Sequence, residues 1–400
     1  MVIVGAGKAG ARAVIGLREH GWQSEITLIG EETLPPYDRP PLSKASITEE
    51  TEPSPVLLLD EDTIKSLGAT WIGGSAVVSI DRANNQVRLG DGRIIGYGKL
   101  LLATGAKPRQ LSCPGAARAM LLRDFADTLA LRAAFVPGAT VAIVGGGFIG
   151  LELAASATKR GASVTVIEAL PRVLMRGVTE EIAAAVAARH AAAGVKILID
   201  SKVERIDADC VLLTDGRRIA AQVVVAGIGA APAISLAEEA GLDLDNGIAC
   251  DAMMRTSDPD IYAAGDCCSF PHAVFGGKRL RLEAWRSAQD QAAVAAENMT
   301  GGNRVFEAVP WFWSDQFELT LQIAGEPSNG NRIVKRPLKD GAFILCHLDD
   351  AGTLVGASGI GPGNTIARDI RLCELLIGKR AKPDEAALTD PAFQLRTLLK

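Results

Sequence analysis

The sequence predicts an α/β fold: two units built on parallel sheets, followed by a small α+β C-terminal domain. Three observations carry this prediction. Val2-Ile3-Val4 runs into Gly5-Ala6-Gly7-Lys8-Ala9-Gly10, and Val141-Ala142-Ile143-Val144 runs into Gly145-Gly146-Gly147-Phe148-Ile149-Gly150, each an apolar strand, then G-x-G-x-x-G, then a helical pattern. Each unit reaches a second strand tipped by an acid, Ile26–Glu31 in the first and Ser163–Glu168 in the second. From Val305 the texture changes, with three aromatics in Trp311-Phe312-Trp313-Ser314-Asp315-Gln316. One glycine pattern alone is weak evidence. Two, each with strand, helix and acid in place, predict two Rossmann-like dinucleotide-binding domains.

In the first unit Gly5 permits the tight turn, Gly7 lets the backbone approach a pyrophosphate, and Gly10 lets the helix Ala11–His20 pack on the sheet. The helix N-terminus offers unpaired N–H groups to phosphate. Glu31 is expected to accept from a ribose. Four prolines in Pro35–Pro41 then fix an extended path to Ser43-Lys44, where a short helix begins. That path suits a lysine aimed at a cofactor and equally suits an exposed loop lysine. Residues 69–107 read as antiparallel: Ala69–Gly73, Ser75–Asp81, Gln86–Leu89 and Arg93–Tyr97. They close on a buried parallel strand ending at Ala103-Thr104-Gly105, where backbone is expected to pass close to a cofactor.

Pro108 and Pro114 mark a linker, and Asp127–Phe135 is helical. The second motif repeats the logic, with a helix Leu151–Arg160. Glu168 favours a free 2′-hydroxyl, hence NAD over NADP, with Arg172 and Arg176 close behind as a counterweight. Thr179–Ala193 is helical, and Val195–Ile199, Lys202–Ile206, Val211–Thr214 and Gln222–Val225 read as strands. Ala264-Gly265-Asp266 follows a short strand, placing an acid to accept from a polyol chain. A long helix opens at Arg281–Gln291, and its Trp285 reads either as a ring-stacking group or as core. The last domain carries strands Leu319–Ala324, Arg332–Lys335, Ala342–Leu348 and Thr353–Ser358, then helices Asn364–Ile377 and Pro383–Leu388. The expected boundaries are 1–108 with 236–308, then 109–235, then 309–400.

With 48% hydrophobic and 22% charged residues, the 400-residue chain can bury several cores. A net charge of −5 without a basic run argues against nucleic acid. No apolar stretch is long enough to span a bilayer, and no signal peptide is read at the N-terminus. Seven cysteines lack C-x-x-C spacing and four histidines are scattered, so reduced cytoplasmic thiols and no metal site are expected. Adjacent Cys267-Cys268 read as two small buried residues rather than a vicinal disulfide.

The tandem glycine units, Leu102-Ala103-Thr104-Gly105 and Ala264-Gly265-Asp266 resemble the two-dinucleotide flavoprotein disulfide reductase superfamily, whose fold is glutathione-reductase-like. Within it, Arg39-Pro40-Pro41-Leu42-Ser43-Lys44, Gly145–Glu152, Ala284–Gln291 and Trp311–Gln316 are similar to one branch. That branch is the FAD-dependent NADH:ferredoxin reductases of bacterial dioxygenase and cytochrome P450 systems. The resemblance covers essentially the whole chain and implies that domain 1–108/236–308 holds FAD and 109–235 receives NADH. It implies FAD contacts at Gly5, Gly7, Ala9, Gly10, Glu31, Arg39, Lys44, Val77, Ala103, Thr104, Gly105, Arg123, Gly265, Asp266, Glu283, Ala284 and Trp285. For NADH it implies Gly145, Gly147, Ile149, Gly150, Glu168, Arg176 and Gly229. Glu152 would pair with Lys44 beside the nicotinamide, the two forming the catalytic pair. The implied partner is a [2Fe–2S] ferredoxin feeding a terminal oxygenase, with the reductase a monomer or homodimer.

A disulfide reductase of that superfamily needs cysteines near the end of the first unit. Here Ser43-Lys44 stands in that neighbourhood and no cysteine precedes Cys113. Electrons must then leave the flavin by another route. The rivals are direct reduction of a quinone or monodehydroascorbate, and an NADH-binding redox sensor.

Overall fold

The computed structural model describes residues 1–399 and divides into two compact units. The first takes in Met1–Asp38, Val56–Lys107 and Pro232–Phe312. Its parallel sheet runs, edge to edge, Ile261–Ala263, Leu100–Leu102, Val2–Val4, Ile26–Ile29 and Ala69–Ile72. Val2 lies opposite both Thr27 and Leu100, so the strands Val2–Val4 and Leu100–Leu102 are buried throughout, as continuous apolar runs require. The helix Lys8–Glu19 packs against Trp285–Met299 so closely that a Cβ on Gly16 would meet that of Ala296 at 2.8 Å.

One strand departs from expectation. Ala69–Ile72 pairs parallel with Ile26–Ile29 as the outer strand of the main sheet. The antiparallel set is only Val77–Asp81, Gln86–Leu89 and Ile94–Gly96. Short sequence spacing suggested a hairpin, but Gly73 and Gly74 turn the chain away before Val77. The helices Lys8–Glu19 and Phe148–Lys159 also start about one turn earlier than expected. Gly10 and Gly150 lie inside the helices, where a Cβ would stand 2.0 and 2.1 Å from the carbonyl oxygens of Gly5 and Gly145, so the close crossing and not a helix boundary requires glycine. The chain near Ser43 is a 3-10 turn, Pro40–Ser43, then a helix Ala45–Thr48, with Lys44 at the break (φ −125°, ψ −105°). The long helix opens at Trp285, after a strand Lys278–Leu280.

The second unit takes in Arg39–Pro55, Pro108–Ala231 and the chain from Trp313 onward. Its parallel sheet runs Lys196–Leu198, Ser163–Ile167, Thr140–Val144, Val223–Ala226. A three-stranded antiparallel sheet, Val203–Ile206, Cys210–Leu213 and Arg218–Ala220, adjoins it in sequence. A five-stranded antiparallel sheet runs Trp311–Gln316, Leu319–Gly325, Leu354–Pro362, Phe343–Leu348, Arg332–Pro337, and the helix Ala367–Gly378 packs on it. The aromatic run is therefore an edge strand of this sheet.

Two buried polar groups hold this last part together. Arg336, 3% exposed, pairs with Asp369 at 2.8 Å and donates to the carbonyls of Leu388, Asp390, Pro391 and Phe393. His347 is buried in the sheet beside the Ser358 hydroxyl, and burial pushes its imidazole down to about 4. The native state thus resists a proton that the unfolded chain takes up near 6.5. Its contribution is complete above that value and is lost as pH falls toward 4. Lowering the pH through this window should cost about 3 kcal/mol, and His347→Gln should remove that component. Urea midpoints of both proteins at pH 7 and 4 check this; parallel losses would refute it.

Candidate active site

In the first unit the loop is shaped by sterics. Gly5 sits at φ +111°, where a Cβ would lie 2.1 Å from the Ala103 carbonyl oxygen. Nothing lies within 4 Å of a Cβ built on Gly7, which caps the helix without a side-chain hydrogen bond. An open backbone facing uncapped N–H groups fits a pyrophosphate. Ala9 is buried beneath Gly265, whose own N–H donates to the buried Gln291 at 2.7 Å. Glu31 is exposed at the strand end, whereas Glu32 accepts from the Tyr37 hydroxyl.

Thr104 donates to the Ala233 carbonyl at 2.7 Å, and Gly105 (φ +71°) accepts from the Ala233 N–H. Asp266 is partly buried and its carbonyl accepts from Arg281, which also pairs with Glu283. Ala284 is the N-cap of the long helix, and Val77 is buried at its strand start. Trp285 donates to Asp38 at 2.7 Å, and the Lys8 ammonium sits 3.6 Å from its ring centroid. The indole is thus held by polar partners rather than by core packing alone. Cys267 and Cys268 are free, fully buried thiols, and burial pushes Cys267 up to about 11.

The second loop repeats the first. Gly145 sits at φ +110° with a Cβ position 2.4 Å from the Gly227 carbonyl oxygen, and Gly147 is open. Gly229 (φ +100°) is open too, and Ile149 is exposed. Glu168 differs from Glu31: its two oxygens accept from the Gly146 N–H at 2.7 Å and the Leu170 N–H at 2.8 Å. A carboxylate has lone pairs for a further donor, so Glu168 both fixes the loop and can still take a ribose hydroxyl. Arg172 spends its guanidinium on the carbonyls of Val173, Met175 and Val178, while Arg176 is exposed.

A partly buried charged cluster of the second unit surrounds Lys44. Its ammonium lies 3.3 Å from Glu152 and 3.0 Å from Asp315, with the Trp313 ring centroid at 5.5 Å. Glu152 is 5% exposed and accepts from the hydroxyls of Ser43 and Ser314. Ser156, one helical turn beyond Glu152, donates to the Ser43 carbonyl at 2.6 Å. Burial pushes the Glu152 carboxyl up, and Lys44 with the two serines pulls it back. Arg39 donates to the Arg123 carbonyl in the same unit. The resemblance implies the Lys44–Glu152 pair; Ser43, Ser314, Asp315 and Gln316 carry no role on the sequence alone, although Trp311–Gln316 stands out as a motif. No group of three or more potential metal ligands occurs among the described residues, and none of their helices is long and apolar enough to cross a membrane.

Two open glycine loops, two strand-tip acids and a buried lysine–carboxylate cluster define a protein that handles two dinucleotides. The chain belongs to the family described as pyridine nucleotide-disulphide oxidoreductase, which matches residues 1–292, and the pattern described as reductase C-terminal matches 311–399. It is 38% identical over 406 residues to the ferredoxin–NAD(+) reductase component of the anthranilate 1,2-dioxygenase system of Burkholderia cepacia, covering 100% of this chain and 98% of that protein. It is 40% identical over 342 residues to a rubredoxin–NAD(+) reductase of Pseudomonas putida, covering 84% and 88%. Among solved structures, the covalent putidaredoxin reductase–putidaredoxin complex superposes with a TM-score of 0.94 at 33% identity, covering 100% and 97%.

Proposed function

We propose that this protein is a flavoprotein reductase that passes electrons from NADH through FAD, one at a time, to a [2Fe–2S] ferredoxin supplying an oxygenase, and that it works in the cytoplasm. The observation that carries this reading is end-to-end likeness to a dioxygenase-system reductase component, in a chain with no cysteine before Cys113 to receive electrons as a dithiol. FAD supplies the conversion of a two-electron donor into single electrons; the protein supplies placement and charge.

The first unit is the FAD-holding one, with the loop Gly5–Gly10 receiving the pyrophosphate at the open Gly7, Glu31 the ribose, and Asp266 the polyol chain. The second receives NADH at Gly145, Gly147 and Gly150, with Glu168 on the adenosine ribose. Lys44, held by Glu152 and Asp315, supplies a fixed positive charge at the nicotinamide end. Glu152 orients that charge and offsets it; hydride transfer itself abstracts no proton, so it needs no general base.

Anaerobic mixing with NADH, followed by a ferredoxin and cytochrome c, tests the function. Fast bleaching of the flavin and ferredoxin-dependent cytochrome c reduction are expected. Turnover with a rubredoxin or a quinone but with no ferredoxin would overturn the acceptor assignment. A long-lived charge-transfer complex without turnover would point to a sensor. Glu168→Ala should raise KM for NADH about tenfold, the loss of one charged hydrogen-bond acceptor, and narrow the gap to NADPH. An unchanged NADH/NADPH ratio would sink the ribose assignment.

A further inference from the structure

The Lys44 cluster does not end at Glu152. Ser314 donates to Glu152 at 2.6 Å, so its oxygen is left to accept, and it accepts from the Gln316 amide nitrogen at 2.9 Å. That orientation turns the Gln316 carbonyl oxygen toward His190 Nε2, 2.9 Å away. A carbonyl oxygen only accepts, so His190 carries its proton on Nε2 and donates it. Every donor from His190 to Glu152 therefore points the same way, toward the carboxylate. His190, Gln316 and Ser314 are all buried, at 1% exposure or less.

The residues come from different parts of one unit. Ser314 and Gln316 alternate along the edge strand and share a face. His190 lies in the last turn of the helix Glu180–Ala192 and sets its ring edge-on to Phe317, with centroids 4.9 Å apart. Phe317 holds φ +60°, costly for a bulky residue, and Arg189 stacks on its ring from the other contact. Two adjacent residues of one helix thus fix the turn that presents Gln316. Nδ1 of His190 has no hydrogen-bond partner among the described residues. A buried imidazole with only its Nε2 engaged serves as a fixed neutral donor.

We propose that His190 is a positioning residue of the reductase: it anchors a one-way chain of hydrogen bonds, through Gln316 and Ser314, that keeps Glu152 ionised and hence Lys44 in place. This rests on the reading of Lys44 and Glu152 as the charge pair that serves NADH. The charged groups facing Glu152 are Lys44, from the break after the proline turn, and Asp315, which reaches Lys44 from the edge strand. Beside His190 stand Arg189 and its partner Glu318. Lys44 reaches the same Glu152 oxygen, Oε1, at 3.3 Å against 2.6 Å for Ser314, and Ser43 donates to Oε2, so Ser314 is the short donor on the lysine-facing oxygen. Hydrogen bonds in a chain polarise one another, so loss of the far donor weakens the near one.

His190→Phe keeps the ring against Phe317 and removes the donor; His190→Gln restores an N–H. Two readouts on the FAD-loaded protein decide the matter: the protonated-carboxyl band of Glu152 in infrared difference spectra against pH, assigned with Glu152→Gln, and the pH profile of flavin reduction by NADH. In His190→Phe both the carboxyl titration and the acid limb of the rate should move up by about half a pH unit, a roughly threefold change, with His190→Gln close to wild type. Coincident titrations of wild type and His190→Phe would overturn the proposal. Should His190→Phe not fold, Gln316→Met breaks the same chain one link later and is read in the same way. Neither readout uses ferredoxin, so failure of the acceptor assignment leaves this test intact. A Glu152→Gln protein that reduces its flavin at the wild-type rate would instead sink the charge-pair reading.

Discussion

Lys44→Ala should slow reduction of the flavin by NADH about a hundredfold while changing NADH affinity only a few-fold. Removing a fixed electrostatic group from a water-poor site commonly costs 10²–10³ in rate. Here the group is well fixed: its ammonium is held between two carboxylates, at 3.3 and 3.0 Å. Without it, Glu152 keeps two serine hydroxyls but no cation, and burial then drives its carboxyl further toward the protonated form. On the proposed reading, the charge that would assist hydride transfer and the group that would orient it are lost together. Anaerobic stopped-flow at saturating NADH measures the rate, and its concentration dependence measures affinity. If the reduction rate holds while FAD is released, Lys44 is a structural ligand of the cofactor and not part of the chemistry.

Gly145→Ala should raise KM for NADH by one to two orders of magnitude and leave FAD content unchanged. The residue lies at φ +110°, where an alanine is strained by about 1–3 kcal/mol. Its methyl carbon would also stand 2.4 Å from the Gly227 carbonyl oxygen, far inside contact distance. The loop must shift, and with it the Gly146 N–H that Glu168 holds. FAD is expected to stay because its own loop, at Gly5, belongs to the other compact unit. Flavin content by absorbance, set beside NADH kinetics, separates the two. Loss of FAD from this variant would contradict the assignment of the second loop to NADH.

What could be read from the chain follows the range of the interaction. The glycine loops were legible because their constraint is local: a turn, an open approach and a close crossing each demand the missing Cβ within six residues. The same local reading misplaced the helix starts, since a glycine inside a first turn looks like a boundary. Pairing of Ala69–Ile72 with Ile26–Ile29 was not legible, because which edge a strand joins is decided far along the chain. The Lys44–Glu152 pair came through resemblance, not spacing. Ser43, Ser314 and Gln316 lie in stretches that carry the resemblance, but neither they nor His190 show a periodicity or spacing that assigns them a role. They become a network only when three segments of the second unit converge on Glu152. The cysteines were the reverse case, informative through where they are missing.

The clasp formed by Arg336 bears on how this protein can be handled. Its guanidinium is satisfied largely by carbonyls between Leu388 and Phe393, so that stretch acts as an internal strut of the antiparallel sheet. Trimming the chain before Leu388 is thus equivalent to a core substitution, leaving a buried cation with Asp369 alone. An electron carrier tethered to this reductase as a single polypeptide should be joined beyond Leu399, because Leu395 in the turn Leu395–Leu399 is itself buried at 1% exposure.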